Sequence, residues 1–184
     1  MAFIPYPSPE SDPQLRGLFD EVKRARGKLA NIIAIQGGNP AALKGHMDLY
    51  LAIMFGRRGL TRFQRELIAT FVSALNQCDY CIEHHQEALR VHCKDQELVE
   101  ATRQGKISPS LSPSDQALLS YCRKVTLMPH QITEEDIRQL RRWGFSDEDI
   151  LAANLIAAYF AMVNRIALGL GVELEEEGGK GYRY

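Results

Sequence analysis

A chain of 184 residues, 45% apolar and 24% charged, has the length and composition of one soluble domain with its own core, which argues against wholesale disorder. A formal net charge of −1 leaves no basic footprint for nucleic acid or an anionic membrane, and the short basic runs at 23–26 and 138–142 fall within helical patterns as solvated faces. The opening Met-Ala-Phe-Ile-Pro-Tyr-Pro has neither the basic nor the apolar region of a secretory signal, so a cytoplasmic, reducing setting is expected for the four cysteines. In such a setting, close cysteine pairs serve redox chemistry or metal binding more often than structural bridging.

Residues 1–11, with Pro5, Pro7 and Pro9, read as an extended arm. Asp12-Pro13 supplies an N-cap and an N1 proline, and Leu15, Leu18, Phe19 and Val22 carry a helical stripe that ends near Gly27. After a loop at Gly37-Gly38-Asn39-Pro40, Leu43, Met47, Tyr50, Ile53 and Met54 recur at helical spacing as far as Gly56. Thr61 and Gln64 fit a capping box ahead of Phe63, Leu67, Ile68, Phe71, Val72 and Leu75. Asn76-Gln77 interrupts, and a new helix is expected from about Cys78 to about His92. Ser112-Pro113, Thr133 with Asp136, and Ser146 with Asp149 mark three further N-termini, with Trp143-Gly144 as a stop between the last two. No stretch alternates with period two for long enough to be a strand, and no repeat is evident, so the reading is one all-α domain over residues 1–184.

Two segments near the end stand apart. Residues 150–172 are almost free of charge and long enough to cross a bilayer. They also contain Asn154, Asn164 and Arg165, and an unpaired arginine in hydrocarbon costs at least ~2.5 kcal/mol. A helix buried in the core or in an oligomer interface is therefore expected, with no membrane partner. Residues 173–184, acidic and then glycine-rich, read as a loose tail or an arm gripping a neighbouring subunit.

Chemistry concentrates between Glu66 and His85. Cys78 and Cys81 stand i, i+3 at the start of a helix, where Cβ atoms lie roughly 5–6 Å apart. A disulfide needs about 3.8 Å, so a modest adjustment of one turn closes or releases the bond. Unpaired amides and the positive end of the helix dipole favour a thiolate there. His85, i+4 from Cys81 on the same face, is placed to take the thiol proton or to steady the thiolate. Glu66 lies on the preceding apolar helix, where an acid is costly unless paired. A hairpin at Asn76-Gln77 brings it back toward His85, as the third group of an activated nucleophile.

Each residue also has a plainer reading. Cys78, Cys81 and His85, with His92 or Cys93, would be a zinc set, although all lie on one short helical stretch where few cages close. A lone glutamate is ordinarily a surface residue, His84 and His92 fit structural or solvated roles, and Cys93 and Cys122 fit small core positions.

The full pattern, Glu-x11-Cys-x2-Cys-x3-His, resembles the signature of the alkylhydroperoxidase D-like (AhpD-like) proteins of the carboxymuconolactone decarboxylase superfamily. The Cys-Asp-Tyr-Cys form, the Arg-Glu-Leu-Ile-Ala lead-in and residues 160–165 are similar to its peroxidase-related subgroup, and the likeness spans roughly residues 10–175. It implies an AhpD-like helical bundle assembled as a homotrimer or homohexamer. It also implies a thiol-dependent peroxidase that reduces hydroperoxides with no metal, haem or flavin cofactor. By position, Cys81 is the implied peroxidatic cysteine, Cys78 the resolving one, and Glu66 with His85 the proton relay. Tyr80 stands where the founding enzyme has a histidine, and as a phenol it is a poor base near neutrality. Thioredoxin-like motifs would make the first cysteine the nucleophile, whereas His85 one turn beyond Cys81 favours the second. The implied reductant is a lipoyl-bearing or thioredoxin-like dithiol partner. Competing readings are a decarboxylase-type relative, whose kind generally lacks the cysteine pair, a non-enzymatic redox sensor, and a zinc-stabilised assembly module.

Overall fold

Capping side chains set the starts of most of the helices. In the computed structural model, which describes residues 1–182, the helices are α1 (Pro13–Arg26), α2 (Asn31–Ala34), α3 (Pro40–Phe55), α4 (Arg62–Leu75), α5 (Asp79–His92), α6 (Gln96–Arg103), α7 (Pro113–Leu127), α8 (Glu134–Arg142) and α9 (Asp147–Leu170). Short 3-10 turns occur at Pro9–Ser11, Ile35–Gly38 and Pro129–Gln131, and there is no strand among the described residues. The all-α reading is thus met. Asp12 accepts from the amides of Gln14 and Leu15, and Gly27 closes α1 in the left-handed conformation. Thr61 and Gln64 cap α4 reciprocally, as do Ser146 and Asp149 for α9, each pair satisfying amides that a helix start leaves open. Two short helices, α2 and α6, went unread in the sequence.

Helix α4 is the axis of the molecule. Leu67, Ile68, Ala69, Phe71 and Val72 are fully buried, and the helix packs against α5, α6, α7 and α9. Arg65 is buried beside them and satisfied by backbone: it donates to the carbonyl of Leu60 at 2.8 Å and to those of Ile53 and Arg58. Such an arrangement keeps a buried cation tolerable while pinning the α3–α4 connection to the core.

Helix α9 is long and apolar enough to cross a membrane by length and composition, and it packs against α3, α4, α5, α7 and α8. Its two asparagines face partners within the fold, while Arg165 is exposed. Asn154 donates to the Tyr121 hydroxyl at 3.0 Å, and Asn164, fully buried, donates to Ser73 Oγ at 3.1 Å and accepts from Asn76 at 2.9 Å. The opposite face leaves Leu151, Leu155, Met162 and Leu168 exposed.

Both ends of the described chain are tied to its own body. The Phe3 amide donates to the Leu170 carbonyl at 2.9 Å, and its ring covers Gly171, where a Cβ would come within 2.7 Å of it. Residues 173–182 are not loose but lie against the chain's own body; the last two residues of the expected tail lie outside the described residues. Glu177 pairs with Lys28, the Lys180 carbonyl accepts from Lys28 at 3.1 Å, and Gly179 lies so close to the Glu83 carbonyl that no side chain would fit. The segment is a strap along α5.

Candidate active site

The turn between α4 and α5 places the first sulfur. Gln77 adopts φ +56°, a left-handed conformation that costs a non-glycine residue roughly 1–2 kcal/mol. The Cys78 amide then donates to the Ser73 carbonyl at 3.0 Å, which sets Cys78 at the N-cap of α5. One turn on, Cys81 brings its Sγ to 3.0 Å from that of Cys78, both thiols being reduced. Bonding distance is about 2.05 Å, so the sulfurs need to close by only about 1 Å.

The two thiols form one titrating pair. A hydrogen bond from Cys81 pulls Cys78 below the usual thiol range against the opposing effect of burial, helped by the Cys81 amide and by Asn164. Cys81, as the donor in that bond and as a buried group, is pushed well above it. Of the two, Cys78 is the thiol that gives up its proton more readily. Access points the other way. Cys78 is fully buried, whereas Cys81 lines a cavity of about 90 Å³, enough for several waters or a small organic molecule.

Glu66, expected to turn back toward α5, does so. It is fully buried and accepts a hydrogen bond from Nδ1 of His85 at 2.7 Å, while Arg62 pairs with its other oxygen at 2.5 Å. Since an ionised carboxylate only accepts, Nδ1 carries a proton and Nε2 is the nitrogen left to exchange one. The His85 ring lines the cavity and meets Phe160 edge-on, with centroids 4.6 Å apart. Asn164, seen in the sequence only as a polar break in an apolar helix, joins this group through the cysteines.

Tyr80 lies on the cavity wall but its hydroxyl does not enter the relay, which corrects its place among the proton-handling residues. That hydroxyl donates to Glu175 at 2.8 Å and accepts from the Ile32 amide at 3.2 Å. Burial, reinforced by the Glu175 charge, drives its pKa far above the phenol range. His84 is likewise a strap contact rather than a solvated residue: its Nε2 lies 2.8 Å from Glu175, and its ring stacks near Tyr80 and Tyr182. Burial works against ionisation of Glu175, but the His84 hydrogen bond, the Asn31 amide and the His84 charge outweigh it and hold the carboxyl at about 2.

The far side of the cavity was not legible in the sequence. His46 on α3 lies with Nδ1 2.8 Å from Gln36 Oε1 and Nε2 2.6 Å from the Tyr159 hydroxyl on α9. His46 and Tyr159 line the same cavity as Cys81 and His85. Cys93 and Cys122 are buried elsewhere, as small core residues. No group of three or more His, Cys, Asp or Glu side chains is placed to hold a metal among the described residues.

The helical bundle with this hairpin site is similar to proteins described as AhpD-core and peroxidase-related. Residues 40–120 match the carboxymuconolactone decarboxylase family itself. The chain is similar to a peroxidase-related protein from Ralstonia eutropha JMP134 described as an alkylhydroperoxidase AhpD core, at 28% identity and TM-score 0.88, covering 97% of this chain and 94% of that one. A peroxidase-related protein from Silicibacter sp. TM1040 follows at 25% identity and TM-score 0.87, with 99% and 96% covered. The debrominase Bmp8 shares the fold at 21% identity and TM-score 0.77, with 93% and 91% covered.

Proposed function

We propose that the chain is a thiol-dependent peroxidase that reduces hydroperoxides through Cys78 and Cys81. The observation that carries this reading is the sulfur pair at 3.0 Å beside a carboxylate-oriented histidine on one small cavity. Its relatives' description as peroxidase-related supports it.

The two arguments about the nucleophile are reconciled by one proton. Its transfer from Cys81 to Cys78 along the sulfur–sulfur contact moves the thiolate to the cavity side without changing the net charge. Cys81 thiolate then attacks the O–O bond: an S–O bond forms, the O–O bond breaks, and the alkoxide leaves with a proton that His85 Nε2 has first taken up from solvent. Cys78 thiol condenses with the sulfenic acid at Cys81, giving a disulfide and water. A dithiol donor returns the pair to the reduced state by exchange, being itself oxidised to a disulfide. Glu66 holds the imidazole with Nε2 free and balances its transient charge.

The test is hydroperoxide consumption with a dithiol donor. Wild type should turn over, Cys81→Ser should be inert, and Cys78→Ser should react once and stop as a sulfenic acid that a dimedone-type reagent traps. Inertness of Cys78→Ser together with a single turnover by Cys81→Ser would reverse the assignment. Disulfide formation by wild type with no turnover on any donor would favour a redox sensor. We also propose a homotrimer or homohexamer, supported by the exposed apolar stripe on α9. Sedimentation of a stable 20.8 kDa monomer at micromolar concentration would reject it.

A further inference from the structure

The far wall of the cavity holds a hydrogen-bond chain whose direction is fixed at one end. Gln36 Nε2 donates to the Ile32 carbonyl at 2.6 Å, and because a carbonyl can only accept, this contact identifies the nitrogen end of the amide. The amide oxygen therefore faces His46, and Nδ1 of that ring must carry its proton. His46 is buried, and burial holds the imidazole below the usual histidine range, so the ring is neutral and Nε2 is a bare lone pair. The Tyr159 hydroxyl, 2.6 Å away, gives its only proton to that lone pair. Tyr159 itself stays un-ionised, pushed well above the phenol range by burial and by the neighbouring Tyr50 and Cys81. What remains is an oxygen with a lone pair and no proton to offer.

Resting on the peroxidase reading, we infer that Tyr159, oriented by His46 and Gln36, is a positioning residue that accepts a hydrogen bond from the O–H of a hydroperoxide and turns its terminal oxygen toward Cys81. Phe160 sets the spacing, meeting His85 edge-on at 4.6 Å and Tyr159 at 5.1 Å. The organic group of the substrate lies against apolar wall from Ile33, Met47 and Val163. Attack then forms the S–O bond at the terminal oxygen and releases R–O⁻ to the proton of His85. The subsite selects R–O–O–H over dialkyl peroxides, which bring an acceptor to an acceptor.

The test separates this subsite from the reaction. Titration of wild type with tert-butanol and with methyl tert-butyl ether should show about tenfold tighter binding of the alcohol, the scale of one hydrogen bond. Tyr159→Phe should abolish that preference. It should also slow oxidation of Cys81 by tert-butyl hydroperoxide about tenfold while leaving alkylation by iodoacetamide, which needs only the thiolate, unchanged. An undiminished alcohol preference in Tyr159→Phe overturns the inference, as does an equal loss of both Cys81 reactions. Loss of the preference in a protein whose wild type resists hydroperoxide keeps the protic subsite and sinks the peroxidase reading. Should Tyr159→Phe fail to fold, His46→Leu serves: the freed hydroxyl then donates into the cavity and the ether binds at least as well as the alcohol, whereas a retained alcohol preference overturns the inference.

Discussion

The two walls of the cavity are written into the chain in different ways. On one side, Glu66, Cys78, Cys81 and His85 come from a single hairpin, α4 and α5, whose register is set by one turn at Asn76-Gln77. On the other, Gln36, His46 and Tyr159 come from three segments, and the last two are separated by 113 positions. Helical spacing and a single turn put the hairpin groups together. Tertiary packing is needed to bring α3 and α9 to each other. On the proposed reading, the near wall supplies the nucleophile and the far wall holds what it attacks.

The largest effect of breaking that division lies on the near wall. Glu66→Gln keeps the shape of the relay and removes its charge, and should cut the rate of Cys81 oxidation by roughly 10²–10⁴. His85→Ala should lose a similar factor, and the double variant little more than either single one, because the two act as a unit. Stopped-flow oxidation under pseudo-first-order peroxide would measure this, and full reactivity of Glu66→Gln would remove the relay. Tyr80→Phe tests the correction made above. The rate should change by no more than about threefold, while thermal stability drops by about 0.5–1.5 kcal/mol for the lost hydrogen bonds to Glu175 and Ile32. A large rate loss with stability intact would return Tyr80 to the proton-handling group.

Acid should separate the far wall from the strap. His46 titrates lower in the fold than in the unfolded chain, whose value is about 6.5. Its contribution to stability is therefore complete above that value and is lost as the pH falls through it. Glu175, held at about 2 in the fold, keeps its contribution down to about pH 4.5 and loses it only as the pH approaches 2. Unfolding free energy should fall in two steps on acidification. His46→Leu should remove the upper step and Glu175→Gln the lower, and a single step unaffected by either substitution would contradict these assignments. The smallest effect concerns the turn: Gln77→Gly relieves the left-handed residue at the cost of unfolded-chain entropy, for a net gain of about 0.5 kcal/mol in chemical denaturation.

Legibility followed the same division. Spacing was enough to find the hairpin, because side chains at i, i+3 and i+4 on a helix meet whatever surrounds them. Caps such as Asp12, Thr61 and Ser146 were visible because capping is a local reaction of side chain with backbone. Helix α2, four residues with no side-chain cap, offered no such signal. Tyr80 was misplaced for a geometrical reason: residues adjacent on a helix point about 100° apart, so a neighbour of Cys81 in sequence faces Ile32 and the strap instead. Glu175 lies in an acidic, glycine-containing stretch whose composition suggests solvent, and only its partners on α2 and α5 reveal otherwise.

The depth of the sulfur pair imposes a size rule on whatever regenerates it. Cys78 has no exposed surface and Cys81 almost none, and Cys81 lines a space of about 90 Å³. Exchange requires an incoming sulfur to line up behind the bond it breaks. A cysteine set in the flat face of a folded protein halts at the surface, short of that line, unless the strap peels away. A dithiol at the tip of a slender, flexible arm can thread the opening. On that ground small dithiols and swinging-arm carriers should outpace rigid protein donors at equal reducing power.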